Sequence, residues 1–457
     1  MRCNAMNSQI VDSGNKNIDD FIRETQFSKE SMYSEFLKWV PYENLTNIEH
    51  IGKGGFSEIY KATWEKQIYR SKGFFETKKT EVVLKVLNNS ENVNTKFLKE
   101  FRGDTIQCHG VTQIPKTKNY AFILEYAKGG DLHHFLNKNF EEKTWKEKAY
   151  FLRGIVKGIK KIHNKKILHR DLHSGNILIN KRSALISDLG FSQPATIKPN
   201  LSRESQIYGI IPYMAPELFK GQPYSYASDI YSLGMIMWQL TSEHRPFHDQ
   251  DHGPKLTSDI LDGKRPEITE DTPKFWANLM KRCWHSVPSQ RPTIREIYKL
   301  YYSSLSRISY FEYHECSITI KMHYNLNAYN IWLEIKEAEK KRLEMVESKK
   351  PFVKNPGYEH PNSRYYSRSL NSMLESINSK VSDLFSNNNL FSNDHFDINS
   401  NQINGLESSD GNSSAENSKK HSLDELLQEE IIKDQNDLKR RKISEYFHEC
   451  LAENVMD

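Results

Sequence analysis

The sequence predicts an α+β fold in which a sheet-rich part precedes a larger, mainly helical part. Between Leu45 and Leu87 the chain carries short runs rich in β-branched and aromatic residues, separated by glycines and charged turns, which is typical of antiparallel strands. After Gly129-Gly130 the apolar residues recur at helical spacing instead. The 457 residues exceed what one compact core usually organises, so we expect one large bilobal domain with appendages, or two domains.

Composition indicates that part of the chain does not fold. Hydrophobic residues make up only 37% of the sequence and charged residues 27%, which suggests a folded block with polar extensions. The formal net charge is +5 over the whole chain. This balance gives no case for a nucleic-acid-binding or membrane-binding surface.

The cysteines and the N-terminus indicate a soluble, cytoplasmic protein. An odd number of scattered cysteines supports neither a disulfide framework nor a C-x-x-C metal site, and it fits a reducing compartment. The N-terminus lacks the apolar core of a signal peptide, and no stretch approaches the roughly 18 apolar residues of a membrane span. The cysteines are Cys3, Cys108, Cys283, Cys316 and Cys450.

The first part of the chain is predicted to be a leader followed by a sheet. Residues 1–16 are polar and unpatterned, and the apolar positions of a short helix predicted around Ile18–Phe27 are sparse, so we expect residues 1–41 to form a mobile, polar leader. A helix is also predicted between Asn92 and Phe101. The predicted strands are Ile59–Trp64, Glu81–Leu87, Ile106–Val111 and Tyr120–Glu125.

Two helices dominate the prediction for the second part. One carries apolar residues at helical spacing from Leu152 to Ile162, and the other, Ser228–Leu240, is apolar nearly all round. The second should therefore run through the middle of a core. Prolines divide the rest into short helices, and the folded block is expected to close near Tyr302.

The remaining residues, 303–457, are expected to be a largely disordered extension with two helices. Residues 386–418 are about half Asn and Ser, which is too polar to bury a core. The helices are predicted near 330–349 and 423–447.

A glycine-rich loop and a lysine are the first candidates for binding a phosphate. The loop Gly52–Ile59 lies between two predicted strands, and its glycines would let backbone N–H groups approach phosphate oxygens. An ordinary hairpin turn fits the loop equally well. Lys85 lies in an apolar strand, so its cation must reach water at a sheet edge or find a buried anion such as a phosphate.

The strongest motif is His169-Arg170-Asp171-Leu172-His173-Ser174-Gly175-Asn176, followed by an apolar strand and then Asp188-Leu189-Gly190. In this pattern Asp171 can accept the proton of a hydroxyl nucleophile. The oxygens of Asn176 and Asp188 suit Mg²⁺. Ala215-Pro216-Glu217 follows downstream in register.

These motifs resemble those of the protein kinase superfamily, and more narrowly its tyrosine-kinase-like branch. The resemblance covers about Tyr42 to Tyr302 and implies the bilobal protein kinase fold, with an N-lobe over 42–127 and a C-lobe over 128–302. It implies a signalling enzyme that transfers the γ-phosphoryl group of ATP to protein Ser/Thr hydroxyls, or to Tyr hydroxyls. ATP and Mg²⁺ are the implied cofactors, and a protein is the implied substrate.

The resemblance also implies roles for individual residues. Asp171 would be the catalytic base, preceded by Arg170, while Asn176 and Asp188 would bind Mg²⁺. Lys85 would contact the α- and β-phosphates and pair with Glu100. Leu124 is similar to the residue that closes the back of the adenine pocket, Glu125-Tyr126-Ala127 to the hinge, and Asp131 would lie near the ribose. The residues implied to contact ATP are Ile51, Gly52, Lys53, Gly54, Gly55, Phe56, Ser57, Ile59, Lys85, Glu125, Ala127 and Asp131.

Structural anchors match the same family. Asp229 resembles the residue that holds the catalytic-loop backbone, and Glu217 and Arg291 resemble a buried ion pair. Cys283-Trp284 before that arginine favours the tyrosine-kinase-like branch.

The sequence departs from the family pattern at three places. Ser57 replaces the third loop glycine, which still permits close backbone approach. His173 and Ile210 stand where serine/threonine kinases have a lysine and a threonine, so the acceptor hydroxyl stays open between Ser/Thr and Tyr. Only five residues separate Glu100 from Ile106, barely one helical turn. The alternative is therefore a pseudokinase or scaffold that binds ATP weakly.

Overall fold

The structure is a computed structural model, and it describes ten ranges of the chain. Among the residues described, no helix has the length and apolar character needed to cross a membrane. The ranges are 13–27, 37–53, 57–69, 75–88, 90, 106–181, 183–189, 193–194, 207–304 and 326–373.

A mostly antiparallel sheet forms the first lobe. Its strands run in the order β1-β5-β6-β4-β3-β2, and among the strands that the structure describes here only β1 and β5 pair in parallel. Val82, Leu84 and Val86 are buried at every second position of the long fourth strand, which is the alternation expected when one face of a sheet packs against a core. The elements are helix α1 (Lys16–Phe27) and strands β1 (Lys38–Trp39), β2 (Leu45–Lys53), β3 (Ser57–Tyr69), β4 (Phe75–Leu87), β5 (Cys108–Gln113) and β6 (Tyr120–Glu125).

Helix α1 corrects the expectation of a mobile leader. Ile18, Phe21 and Ile22 are buried and belong to one hydrophobic cluster with Tyr120 and Phe122 of β6. Their spacing of three and four residues places them on one face of the helix. The predicted helix is thus present, but it packs against the sheet.

The second lobe is mainly helical. Thr144 and Glu147 form a capping box at the start of α3, and Ser225 and Ser228 form one at the start of α5. Helix α5 is buried along most of its length, which confirms the predicted core helix. The elements are α2 (Leu132–Asn139), α3 (Trp145–Asn164), β7 (Ile167–Leu168), β8 (Ile177–Asn180), β9 (Ser183–Ile186), β10 (Gln193–Pro194), β11 (Tyr208–Gly209), α4 (Pro216–Phe219), α5 (Tyr226–Ser242), α6 (Pro254–Leu261), α7 (Lys274–Cys283) and α8 (Ile294–Ser304).

Part of the C-terminal extension packs on the helical lobe through helix α9 (Leu326–Glu347) and strand β12 (Arg368–Ser369). Trp332 of α9 is buried in the core of this lobe. Glu339 accepts a hydrogen bond from the backbone N–H of Trp145 at 2.8 Å, and Glu334 accepts one from that of Phe275 at 2.7 Å. These carboxylates satisfy N–H groups in the first turns of α3 and α7.

The expectation that the folded block closes near Tyr302 is therefore wrong, because residues 326–373 continue it. The limits predicted for the kinase domain itself, 42 and 302, stay a prediction. The helices predicted at 92–101 and 423–447 lie outside the described residues.

Candidate active site

The loop between β7 and β8 carries Asp171 and is held by a buried carboxylate on α5. Asp229 Oδ2 accepts hydrogen bonds from the backbone N–H of His169 at 2.9 Å and from His163 Nε2 at 2.8 Å, and Oδ1 accepts one from the backbone N–H of Arg170 at 3.0 Å. Arg170 has a φ of 71°, a left-handed conformation that costs energy for a non-glycine residue. The predicted anchoring role of Asp229 is confirmed.

The surroundings of Asp229 keep it charged. Its burial favours the neutral acid, but the hydrogen bonds from the His163 side chain and from the backbone N–H of His169 help to outweigh that effect. The pKa of Asp229 therefore lies below its usual value. A charged acceptor makes stronger hydrogen bonds to the loop backbone than a neutral one would.

Asp171 and Asn176 are joined within the same loop. Asn176 Nδ2 donates to the backbone carbonyl of Asp171 at 2.9 Å, and both side chains are buried. Because the amide nitrogen is used in this bond, Asn176 Oδ1 remains the group that can act as a ligand.

His169 was not singled out from the sequence, although it opens the motif that contains Asp171. Its Nδ1 lies 3.3 Å from the backbone N–H of Asp171, and its Nε2 lies 3.1 Å from the carbonyl oxygen of Ser187. Burial lowers the pKa of this imidazole, so one nitrogen accepts and the other donates. His169 thus links Asp171 to the residue that precedes Asp188.

Lys85 and Asp188 meet across the space between the two lobes. Lys85 Nζ lies 2.8 Å from Asp188 Oδ1. Lys85 is nearly buried on β4 and is paired with Ile59 of β3 and Phe122 of β6, so it lies in the middle of the sheet and its partner is an anion. The Asp188 side chain is 41% exposed and its φ is 56°. This strained backbone is of the kind found at functional sites.

The structure places part of the predicted ATP-binding set on neighbouring strands. Strand register aligns Gly52, Ile59 and Lys85 in one row across β2, β3 and β4. Ser57 is buried, while Ile51 and Lys53 are exposed to solvent. The described residues do not include Gly54, Gly55, Phe56 and Glu100, so the roles implied for these four stay predictions.

The hinge connects the sheet to the helical lobe. Leu124 and Ala127 are buried, and Glu125 accepts a hydrogen bond from Asn180 Nδ2 of β8. Gly129 donates its backbone N–H to Ile179 at 2.9 Å, and a Cβ at Gly129 would lie 2.6 Å from that carbonyl oxygen. Glycine is thus required for this close approach.

Asp131 has a structural role that the sequence did not indicate. Its Oδ1 accepts a hydrogen bond from the backbone N–H of His134 at 3.0 Å, which caps α2. Its Oδ2 lies 2.6 Å from His134 Nδ1. The predicted contact with a ribose stays a prediction.

The predicted ion pair between Glu217 and Arg291 is confirmed. The guanidinium donates to both carboxylate oxygens at 2.7 Å, and the Arg291 side chain is fully buried. Such a bidentate pair orients α4 against the segment before α8.

Arg170 connects the loop that carries Asp171 to β11. Its guanidinium lies 4.4 Å from the centre of the Tyr224 ring, and burial lowers its pKa. Tyr224 in turn donates its hydroxyl to the carbonyl oxygen of Tyr208 at 2.6 Å. Tyr224 is a further residue that the sequence reasoning missed.

Comparison with known proteins agrees with this geometry. A sequence profile described as protein tyrosine and serine/threonine kinase matches residues 45–300. The chain is 29% identical over 268 residues to mitogen-activated protein kinase kinase kinase 7 of Drosophila melanogaster, covering 57% of this chain and 37% of the relative. It is 26% identical over 269 residues to the protein of that name from Homo sapiens, covering 57% and 42%.

A third relative is the dual specificity protein kinase splA of Dictyostelium discoideum, 29% identical over 282 residues, which cover 56% of this chain and 11% of the relative. The chain therefore spans less than half the length of each of these relatives. The predicted tyrosine-kinase-like branch is consistent with the similarity to mitogen-activated protein kinase kinase kinase 7. Because the profile matches more than half of the residues, the chain belongs to the protein tyrosine and serine/threonine kinase family.

Proposed function

We propose that this chain is a protein kinase that transfers the γ-phosphoryl group of ATP to serine or threonine hydroxyls of proteins. The observation that carries the proposal is the arrangement of three groups: Asp171 on a loop fixed by Asp229, Asn176 bonded to the same loop, and Asp188 beside Lys85. A general base, oxygen ligands and a cation are the groups that phosphoryl transfer requires.

The donor set fits Mg²⁺. Asn176 keeps its amide oxygen available, and Asp188 keeps a half-exposed carboxylate. Both are hard oxygen ligands of the kind that Mg²⁺ prefers. A bound Mg²⁺ would neutralise negative charge on the phosphates of ATP.

The remaining roles belong to side chains of this protein. Asp171 would accept the proton of the attacking hydroxyl, since its carboxylate is held in place from the backbone side by Asp229 and His169. Lys85 would balance phosphate charge from the sheet side, where Asp188 holds its Nζ. Catalysis would therefore come mainly from positioning and electrostatic stabilisation.

The choice of serine or threonine is supported by relatives named serine/threonine kinases. His173 stands where serine/threonine kinases have a lysine, and its Nε2 lies 3.6 Å from Asp171 Oδ2. We propose a cytoplasmic signalling role with protein substrates.

Binding and turnover must be measured together to test this function. The full chain should bind ATP in a Mg²⁺-dependent manner and release ADP while phosphate enters a generic protein substrate or the chain itself. An Asp188→Asn variant should lose Mg²⁺-dependent turnover. Binding of ATP by the wild type without any turnover would refute the proposal and favour the scaffold. Phosphoamino-acid analysis of the product would distinguish serine and threonine from tyrosine.

A further inference from the structure

A serine from the C-terminal extension contacts the proposed catalytic base. Ser367 Oγ lies 2.8 Å from Oδ1 and 2.7 Å from Oδ2 of Asp171. Both distances are within hydrogen-bonding range, and the hydroxyl must be the donor because an ionised carboxylate only accepts. Ser367 thus has the contact that an acceptor hydroxyl needs with its base.

The backbone around Ser367 is bound as an added strand. Strand β12 pairs with β11 in antiparallel register, with Ser369 opposite Tyr208 and Arg368 opposite Gly209. The backbone N–H of Leu370 donates to the carbonyl oxygen of Ile207 at 2.9 Å. Strand β11 lies between Asp188 and Glu217, so the extension is held by the segment that borders the site. Strand addition of this kind is a common mode of peptide recognition.

Side chains on both sides of Ser367 fix its position. Leu370 is 1% exposed and belongs to the core of the helical lobe. Tyr365 donates its hydroxyl to the carbonyl oxygen of Pro246 at 2.9 Å, and the guanidinium of Arg245 lies 3.8 Å from the centre of the Tyr365 ring. The Ser367 hydroxyl is therefore placed between a half-buried anchor, Tyr365, and a buried one, Leu370.

A third set of contacts is made by His252. Its Nδ1 accepts the backbone N–H of Arg364 at 2.9 Å, and its carbonyl oxygen accepts a hydrogen bond from Arg368 Nη2 at 2.8 Å. Burial lowers the pKa of the imidazole, which favours the neutral form that can accept at Nδ1. Polar and apolar contacts thus hold residues 364–370 in one register.

We propose that residues 364–370 are an intramolecular substrate and that Ser367 is phosphorylated by the kinase of the same chain. This inference rests on the proposed function. In the step, Ser367 Oγ forms a bond to the γ-phosphorus of ATP while the bond from that phosphorus to the β,γ-bridging oxygen breaks, and ADP leaves. The hydroxyl proton passes to Asp171 and then to solvent.

The same contacts imply a regulatory consequence. Before phosphorylation the segment occupies the place where an external acceptor would contact Asp171, so external substrates must compete with it. After phosphorylation a group of about −1.5 to −2 charges would lie beside Asp171, and like-charge repulsion would favour release of the segment. Modification of Ser367 should then raise activity toward external substrates.

The inference is tested with the full chain, Mg²⁺-ATP and mass spectrometry of the product. Phosphate should appear on Ser367, and its rate per molecule should not change when the protein is diluted, because the reaction is intramolecular. A tethered acceptor has an effective concentration on the order of millimolar. The chain should therefore modify Ser367 roughly 1,000-fold faster than it modifies a peptide with the sequence of residues 362–371 at about 1 µM.

Three variants separate the possible results. Ser367→Ala should remove this phosphate, while Ser369→Ala, a neighbouring serine with an exposed side chain, should leave it in place. Leu370→Glu should slow phosphorylation of Ser367 and raise phosphorylation of an external peptide, because a charge cannot occupy the buried position without cost.

Phosphorylation of external proteins by a chain whose Ser367 stays unmodified would overturn the inference and leave the proposed kinase function intact. A rate per molecule on Ser367 that falls in proportion to dilution would also overturn it, because it would show that one chain modifies another. Failure to phosphorylate both the chain and every added substrate would instead contradict the proposed function.

Discussion

Replacing Asp229 with alanine should destabilise the helical lobe and slow phosphate transfer together. The change removes the acceptor of the backbone N–H groups of His169 and Arg170 and of His163 Nε2. Each unsatisfied buried donor costs about 1–3 kcal/mol, while removing a buried charge offsets part of that loss. We therefore expect the free energy of unfolding to fall by about 2–4 kcal/mol.

The same change should act on the rate through the loop. Arg170 keeps its left-handed conformation, with a φ of 71°, while its N–H is bonded to Asp229. Without that bond the loop can relax and displace the adjacent Asp171. A displacement of about 1 Å can reduce a rate by about 100-fold.

Denaturant unfolding followed by tryptophan fluorescence measures the first effect, and phosphate transfer at saturating ATP measures the second. Asp229→Asn keeps one acceptor oxygen and should give an intermediate loss in both. Asp262→Ala, at an exposed aspartate of the same lobe, should change stability by no more than about 0.5 kcal/mol. Wild-type stability and wild-type turnover in Asp229→Ala would refute the anchoring role.

Three further predictions concern stability. Arg291→Met should cost about 3–5 kcal/mol in denaturant unfolding because it leaves the buried Glu217 carboxylate without its partner, and a loss below about 1 kcal/mol would contradict a buried pair. Burial lowers the pKa of Lys148 from 10.5 to about 8 despite the nearby Asp271. At pH values between these two pKa values, the Lys148 amine is protonated in the unfolded chain and neutral in the folded chain. The free energy of unfolding of the wild type should therefore rise with pH over that window by roughly 3 kcal/mol more than that of Lys148→Met, and parallel pH profiles would rule this out. Ile22→Ala should lower stability by about 2–4 kcal/mol because the side chain is fully buried, and no change in unfolding would mean that α1 does not pack on the sheet in solution.

The elements with a strong local pattern were predictable from the sequence. The apolar helix Ser228–Leu240 was recognised because nearly every position is apolar, and the motif around Asp171 was recognised by the order and spacing of its residues. Helix α1 was expected to be mobile because its apolar positions are sparse in the sequence. Their spacing at Ile18, Phe21 and Ile22 was nevertheless visible and is enough to form a buried stripe.

The docking of the C-terminal extension could not be predicted in this way. Ser367 contacts Asp171 across 196 positions of sequence, and its surroundings are polar and carry no periodic pattern. Leu370, which follows β12 directly, is a single apolar position that is buried in the core of the helical lobe. Such contacts depend on the shape of the finished lobe, so a pattern within the extension itself does not reveal them.

The partner of Lys85 is a similar case. The sequence established that a cation in an apolar strand needs an anion or water, and the strand by itself favoured water at a sheet edge. The sheet order, which places β4 between β3 and β6, puts Lys85 away from the edge and beside Asp188. The strand order of the sheet thus decides that the partner of Lys85 is a carboxylate and not water at a sheet edge.

The most direct test of the proposed chemistry is the total phosphate transferred from labelled ATP into the full chain and an added protein, compared between the wild type and Asp171→Asn. The substitution keeps the size of the side chain and removes the base. Transfer should fall by about 100- to 10,000-fold with unfolding unchanged. Equal transfer by the folded variant would show that Asp171 is not the base.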